Sequence, residues 1–113
     1  MMTLNAFLEK VRNNTPVNFN ETIAVITENY HYQPCEFSNG GMVSLAGTNE
    51  GSCKIFAFGL IQQLNEQQTL NLFGDYYQEV LNNPDDLDHQ NIRNFMQTGW
   101  QGIHFAGVAL TAK

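Results

Sequence analysis

Positive charge is what this chain has least of: 5 Lys and Arg stand against 11 Asp and Glu, for a formal charge of -6. A surface of that sign repels phosphate backbones and anionic headgroups, which argues against nucleic acid and membrane surfaces as partners. Cysteine is scarce too. Cys35 and Cys53 are far apart and form no CxxC, so neither a zinc site nor a thioredoxin-like pair is indicated, and reduced thiols in a cytoplasm fit best. No apolar run approaches the roughly 20 residues that span a bilayer. The stretch from Met1 to Lys10 carries Glu9 inside an amphipathic pattern, unlike the basic start and apolar core of a secretory signal. Gly40-Gly41 and Gly47 make neither GxGxxG nor a P-loop, because the spacing and the Lys-Ser/Thr are missing. His31, His89 and His104 fall into no HxH or HxxxH, so no metal and no cofactor is expected.

What the chain does have is apolar material. Hydrophobic residues make up 42% and aromatics 12% of 113 residues, enough to bury a core without disulfides or metal, so one folded domain over residues 1–113 is expected. Leu4, Phe7, Leu8 and Val11 recur at helical spacing behind Thr3, an N-cap residue. After Asn13-Asn14-Thr15-Pro16, Asn18 and Glu21 form a capping box ahead of a stripe of Ile23, Ile26 and Tyr30. Pro34 closes that segment. From Cys35 to Gly51 the chain reads as loop, with a short strand possible at Met42 to Leu45.

Cys53 to Leu64 is the most apolar segment, with Ile55, Phe56, Phe58, Leu60, Ile61 and Leu64. A helix apolar nearly all round belongs in the middle of a domain. Ile and Phe also suit a buried strand, and the length of the run favours helix. Thr69 then caps a helix carrying Leu72, Phe73, Tyr76, Tyr77, Val80 and Leu81, and Asp88 caps a shorter one carrying Ile92, Phe95 and Met96. Ile103 to Leu110 alternates as a strand, expected to pair with the Glu36-Phe37 region or with Met42 to Leu45. The expected fold is α+β and mostly helical: four or five helices around a central apolar helix, with a small antiparallel sheet at its side.

Several uncommon stretches accumulate: Gly47-Thr48-Asn49-Glu50-Gly51-Ser52-Cys53-Lys54-Ile55-Phe56-Ala57-Phe58, Gln68-Thr69-Leu70, Phe73-Gly74-Asp75-Tyr76-Tyr77, Asp88-His89-Gln90-Asn91-Ile92-Arg93-Asn94-Phe95-Met96 and Gly99-Trp100. Together they resemble the HopJ-type family over nearly the whole chain, from about Thr15 to Leu110. The resemblance implies a bacterial protein with a type III effector label, and it carries over no catalytic residue. Helical periodicity by Leu4 leaves little room for the flexible leader of such effectors. The bacterial cytoplasm is therefore the first expectation, and delivery to a host cell by type III secretion the alternative.

Two constellations could carry chemistry. Cys53, behind Gly51-Ser52 and beside Lys54, stands where a helix N-terminus lowers a thiol pKa, as for a catalytic nucleophile. The opposing reading is a small buried hydrophobe at a helix start. Asp88, His89, Asn91 and Arg93 gather a carboxylate, an imidazole and a guanidinium at one helix start, able to bind an anion or shuttle a proton. The opposing reading is a cap with an internal ion pair. Asn39, Asn49, Tyr76, Tyr77 and Trp100 are polar-tipped residues of the kind that line small-ligand clefts. Tyr76 and Tyr77 suit a core equally well.

The leading expectation is a non-enzymatic protein that binds a protein or small ligand through the loop from Phe37 to Ser52 and the Asp88 to Arg93 segment. The alternative is a small enzyme using Cys53 or His89, which requires Cys53, or His89 with Arg93, exposed in one concave pocket. A helix-mediated homo-oligomer would instead leave an exposed apolar face.

Overall fold

The computed structural model describes residues 2–113 and is α+β, mostly helical. The described residues form six helices and two small antiparallel sheets. Helix α1 (Leu4–Arg12) starts as its sequence dictates, with the Thr3 hydroxyl accepting from the Ala6 N–H at 3.1 Å. It buries Phe7, Leu8 and Val11. Helix α2 (Phe19–Asn29) has the full capping box: Asn18 accepts from the Glu21 N–H at 2.8 Å and Glu21 from the Asn18 N–H at 3.2 Å. Its buried face is Thr22, Val25 and Ile26, not the stripe of Ile23, Ile26 and Tyr30. The helix stops at Asn29, and Tyr30 opens strand β1 (Tyr30–Tyr32).

The central helix α3 (Glu50–Ile61) buries Cys53, Ile55, Phe56, Ala57, Phe58 and Gly59 and settles the helix-or-strand question. It begins ahead of Ser52 and ends before Leu64, because Gln63 turns left-handed (φ 55°). The Leu64 N–H then bonds to the Gly59 carbonyl at 2.9 Å and the Gln63 N–H to that of Leu60 at 3.2 Å, a Schellman closure that satisfies the last carbonyls. Leu64 is buried by the same turn.

The expected helix from Thr69 to Leu81 is two helices, α4 (Glu66–Asn71) and α5 (Asp75–Asn82). The cap of α4 is Asn65, boxed with Gln68, while Thr69 lies inside it, fully buried. Gly74 makes the break at φ 57°, where an added Cβ would stand 2.7 Å from the Phe19 backbone nitrogen. Only a glycine lets the two segments pass that closely.

Helix α6 (Gln90–Thr98) is capped one residue later than expected: the N-cap is His89, and Asp88 makes no cap bond. A 3-10 turn at Gly99–Gly102 leads into the last segment. The strand expected over Ile103 to Leu110 is split into β4 (Ile103–Phe105) and β5 (Leu110–Ala112), in different sheets. Strands β2 (Phe37–Asn39) and β3 (Met42–Ser44) form a hairpin, and β4 pairs with β2 with Phe37 opposite Phe105. The chain bends at Ala106 and Gly107, after which β5 pairs with β1, Tyr32 opposite Leu110.

All of this is laid around α3. Phe56 meets the rings of Phe95 at 5.0 Å, Phe73 at 5.6 Å and Phe37 at 5.9 Å, while Phe58 meets Tyr30 at 5.9 Å and Phe7 at 6.2 Å. Tight packing leaves no spare volume around the middle of this helix. A Cβ on Gly59 would stand 2.8 Å from the Trp100 ring and 2.9 Å from the Thr69 hydroxyl. Gly59→Ala should therefore destabilise the protein by about 1–3 kcal/mol through overpacking, although alanine is the better helix former by about 1 kcal/mol. Urea unfolding checks this; a stabilised variant would show that α3 and Trp100 are less closely apposed.

Candidate functional site

A cleft of about 590 Å³ opens where the starts of α3 and α6 meet. Asn49, Gly51 and Ser52 contribute from α3, and His89, Gln90, Asn91 and Ile92 from α6. Its apolar wall is Phe19, Met42, Phe73 and Tyr76. Phe19 and Tyr76 touch edge to face at 4.9 Å, and Tyr76 and His89 lie 5.3 Å apart. Phe19 reaches the wall because Gly51 has no side chain; a Cβ there would lie 2.9 Å from the Phe19 ring.

The two helix starts share an unusual construction. Asn49 (φ 49°, ψ 45°) and His89 (φ 51°, ψ 45°) are the N-cap residues, both left-handed, and neither side chain caps its helix. Asn and His are among the few residue types that tolerate this conformation. Their side chains are engaged elsewhere: Asn49 Nδ2 donates to Ser44 Oγ at 3.0 Å, and His89 Nε2 lies 2.7 Å from Glu79 Oε2. The N–H groups of Gly51, Ser52, Asn91 and Ile92 consequently find no acceptor among the described residues. Free N–H groups and the helix dipole make each such end locally positive.

Asn91 is held from behind. Asn39, fully buried, donates from Nδ2 to the Asn91 carbonyl at 2.8 Å and to Asn91 Oδ1 at 3.0 Å. A carbonyl only accepts, so Asn39 must present its NH2 there, and the Asn91 atom facing it must be the oxygen. Asn91 Nδ2 is thereby left at the other end of an amide that is only 6% exposed, with no acceptor among the described residues. Asn94 Nδ2 donates to the Asn39 carbonyl at 3.1 Å and ties the hairpin to α6 a second time.

Asp88 and Arg93 support this helix start from outside the cleft. The guanidinium bonds to Asp88 Oδ1 at 2.8 Å, to the Pro84 carbonyl at 3.1 Å and to the Asp88 carbonyl. That ion pair holds the Asp88 carboxyl below its ordinary pKa. Glu79, Asp88 and His89 place one ligand atom each within 4.8 Å of one another, the arrangement in the described residues best able to hold a cation. It is exposed, and Arg93 already occupies one of its oxygens.

Of the residues expected at a site, Asn49, Ser52, Tyr76, His89 and Asn91 come together at the cleft, with Asn39 behind Asn91. Tyr77 faces away into a hollow of about 200 Å³ beside Asn14 and Val17. Trp100 packs edge-on against Phe95 at 5.0 Å and donates to the Leu64 carbonyl at 3.0 Å, a structural placement. His31 and His104 are exposed on β1 and β4, away from the cleft. Met42, Gln90 and Ile92 lie within the two segments expected to bind, whereas Phe19 and Phe73 join the lining from outside them. Phe19 carried one signal, a large aromatic directly after a helix cap.

Of the two readings of Cys53, the structure gives the buried one. It sits past the open first turn of α3, with its N–H already bonded to the Asn49 carbonyl at 2.9 Å. The side chain is 1% exposed, and Sγ faces the Cys35 carbonyl at 3.6 Å. Burial, then proximity to Cys35, raises its pKa, the reverse of thiolate activation. Burial foremost, then Glu50 and Cys53, also pushes the Tyr32 hydroxyl well above its usual range. With Cys35→Ser in place, Cys53 should resist thiol reagents until the protein unfolds. Because the native thiol keeps a proton that an unfolded one releases above about pH 8.5, the associated stability is complete below that pH and is lost as pH rises further. Denaturant midpoints should decline in that range, with Cys53→Ala flattening the decline; rapid modification of native protein would contradict both expectations.

No curated protein matches the chain. A crystal structure of an unknown function protein, VPA0580, is 49% identical, with a TM-score of 0.97 over 99% of this chain and 95% of that one. The family model of the HopJ type III effector protein matches residues 4–110. A match over nearly the whole length, with the quoted motifs inside it, settles the family: the chain belongs to the HopJ type III effector protein family.

Proposed function

We propose that the chain is a non-enzymatic binding protein that holds a small molecule in the cleft between the starts of α3 and α6. The observation that carries this reading is the cleft itself: about 590 Å³, with an apolar wall on one side and polar groups on the other. That is the make-up of small-ligand sites, where apolar surface supplies affinity and a few fixed polar groups set orientation. The bond from Asn39 to Asn91, the ion pair of Arg93 with Asp88 and the tie of Asn49 to Ser44 hold the polar side rigid. Rigidity lowers the entropy lost on binding.

The burial of Cys53 and the engagement of Arg93 by Asp88 weigh against an enzyme. One observation favours it: the His89 imidazole lines the cleft and is oriented by Glu79 at 2.7 Å, as a general base would be. A bacterial cytoplasmic location suits a binder of small metabolites, and delivery by type III secretion, which the family's description names, is the alternative.

Native mass spectrometry of the purified chain exposed to a bacterial small-molecule extract tests the reading. The expected result is one retained compound class, chemically unchanged. Tyr76→Ala should weaken retention by about tenfold, given roughly 1 kcal/mol per aromatic contact. Conversion of the retained compound, abolished by His89→Ala, would replace the binder with the enzyme.

A further inference from the structure

We infer that the ligand of this cleft is an uncharged, flat heteroaromatic ring of the nucleobase type, stacked on Phe19 and Tyr76 and read along its edge by Ser52, Gln90 and Asn91. The inference rests on the binding proposal and names its ligand class. Charge is the first constraint. Among the described residues, no Lys, Arg, Asp or Glu lines the cleft. Glu50 opens α3, and Glu79 and Asp88 lie beside His89 at the start of α6. These carboxylates offset the two helix ends, each about half a positive charge. A charged ligand would lose its hydration here without meeting a fixed opposite charge.

Shape and hydrogen bonding then select among uncharged ligands. Tyr76 belongs to the apolar wall yet is 42% exposed, and the half-buried Phe19 stands 4.9 Å from it. Open aromatic surface of this kind suits the face of another ring. The polar side carries a donor and an acceptor on neighbouring residues. Gln90 engages its NH2 with the Leu87 carbonyl at 2.7 Å, so the atom left over is its oxygen, an acceptor. Asn91 is the reverse: its oxygen is engaged by Asn39 at 3.0 Å, and the NH2 is left over. Ser52 adds a hydroxyl that can do either. A nucleobase edge, where a ring nitrogen or carbonyl stands next to an N–H or NH2 group, complements such a set. A plain hydrocarbon ring would leave these groups dehydrated and unpaired. A sugar carries hydroxyls around its whole rim, more than three groups on one side can pair. A phosphate attached to the base would meet a chain of formal charge -6 and no basic side chain along the cleft.

The test is a titration of the full chain with adenosine, uridine, uridine monophosphate, glucose and phenol, followed by NMR of the amides and the Tyr76 ring. Saturable shifts of Tyr76, Ser52, Gln90 and Asn91 are expected with at least one nucleoside, and the monophosphate, glucose and phenol should each bind at least tenfold more weakly. Ser52→Ala, a change that a helix accepts readily, should weaken nucleoside binding by about fivefold for one lost hydrogen bond and leave phenol unaffected. Tyr76→Ala should weaken both. Phenol bound as tightly as the nucleosides, or a nucleoside affinity unchanged in Ser52→Ala, would show that no edge is read and overturn the inference. Preference for glucose or for the monophosphate would overturn it as well, as would silence with all five probes. The bacterial extract separates the two levels: retention of a compound of another class sinks the heteroaromatic ligand alone, and retention of nothing sinks the binding proposal with it.

Discussion

Burial of the middle of α3, from Ile55 to Gly59, is the constraint from which the rest of the architecture follows, while Leu60 and Ile61 at its end stay about half exposed. A helix whose Phe56 and Phe58 both lie fully inside must be covered on opposite faces at once, and no single partner can do so. Phe7 and Tyr30 cover the Phe58 side; Phe37, Phe73 and Phe95 cover the Phe56 side. The covering elements come from both ends of the chain. Both sheets are consequences of this wrapping, since β2 with β4 and β1 with β5 each join a segment before α3 to one after α6. The Schellman turn at Gln63 stops α3 where Leu64 can be folded back under it.

The same wrapping brings the starts of α3 and α6 together, and there the structure departs from the lowest-cost local arrangement. Two non-glycine residues in left-handed conformation cost of the order of 1–3 kcal/mol each, and both helices forgo a side-chain cap worth about 1 kcal/mol. Elsewhere the chain caps well, with Thr3, Asn18 and Asn65 all bonded in the expected way. Helix α5, which starts at Gly74, also lacks a side-chain cap, but only α3 and α6 start on a left-handed residue that is not glycine. Local rules are broken where function imposes its own geometry. The deep hydrogen bonds of Asn39 to Asn91 give that geometry a rigid backing.

Family membership alone would not locate the cleft, because a fold does not determine what is bound to it. The thiol of Cys53 illustrates the same separation. Its place near a helix start carried a chemical expectation, yet the open N–H groups lie earlier in the helix and the side chain points into the core. A shift of part of a turn converts an activated nucleophile into packing material.

Local periodicity and capping were enough to read α1, the capped start of α2, the helical nature of the central segment and the α+β class, because these depend on residues within a few positions of one another. The HopJ resemblance was also present in the residues themselves and is matched over residues 4–110. Breaks set by distant contacts were not legible. The split of α4 from α5 answers to the passage of Phe19 past Gly74, and the split of β4 from β5 to the different partners β2 and β1. The loop from Phe37 to Ser52 and the Asp88 to Arg93 segment could each be picked out as polar and unusual. That they converge, that His89 rather than Asp88 stands at the N-cap, and that Tyr77 and Trp100 turn away from the cleft were decided only when both ends of the chain closed over α3. Side-chain direction at a site depends on which distant surface each element must bury, and that is a property of the packed whole.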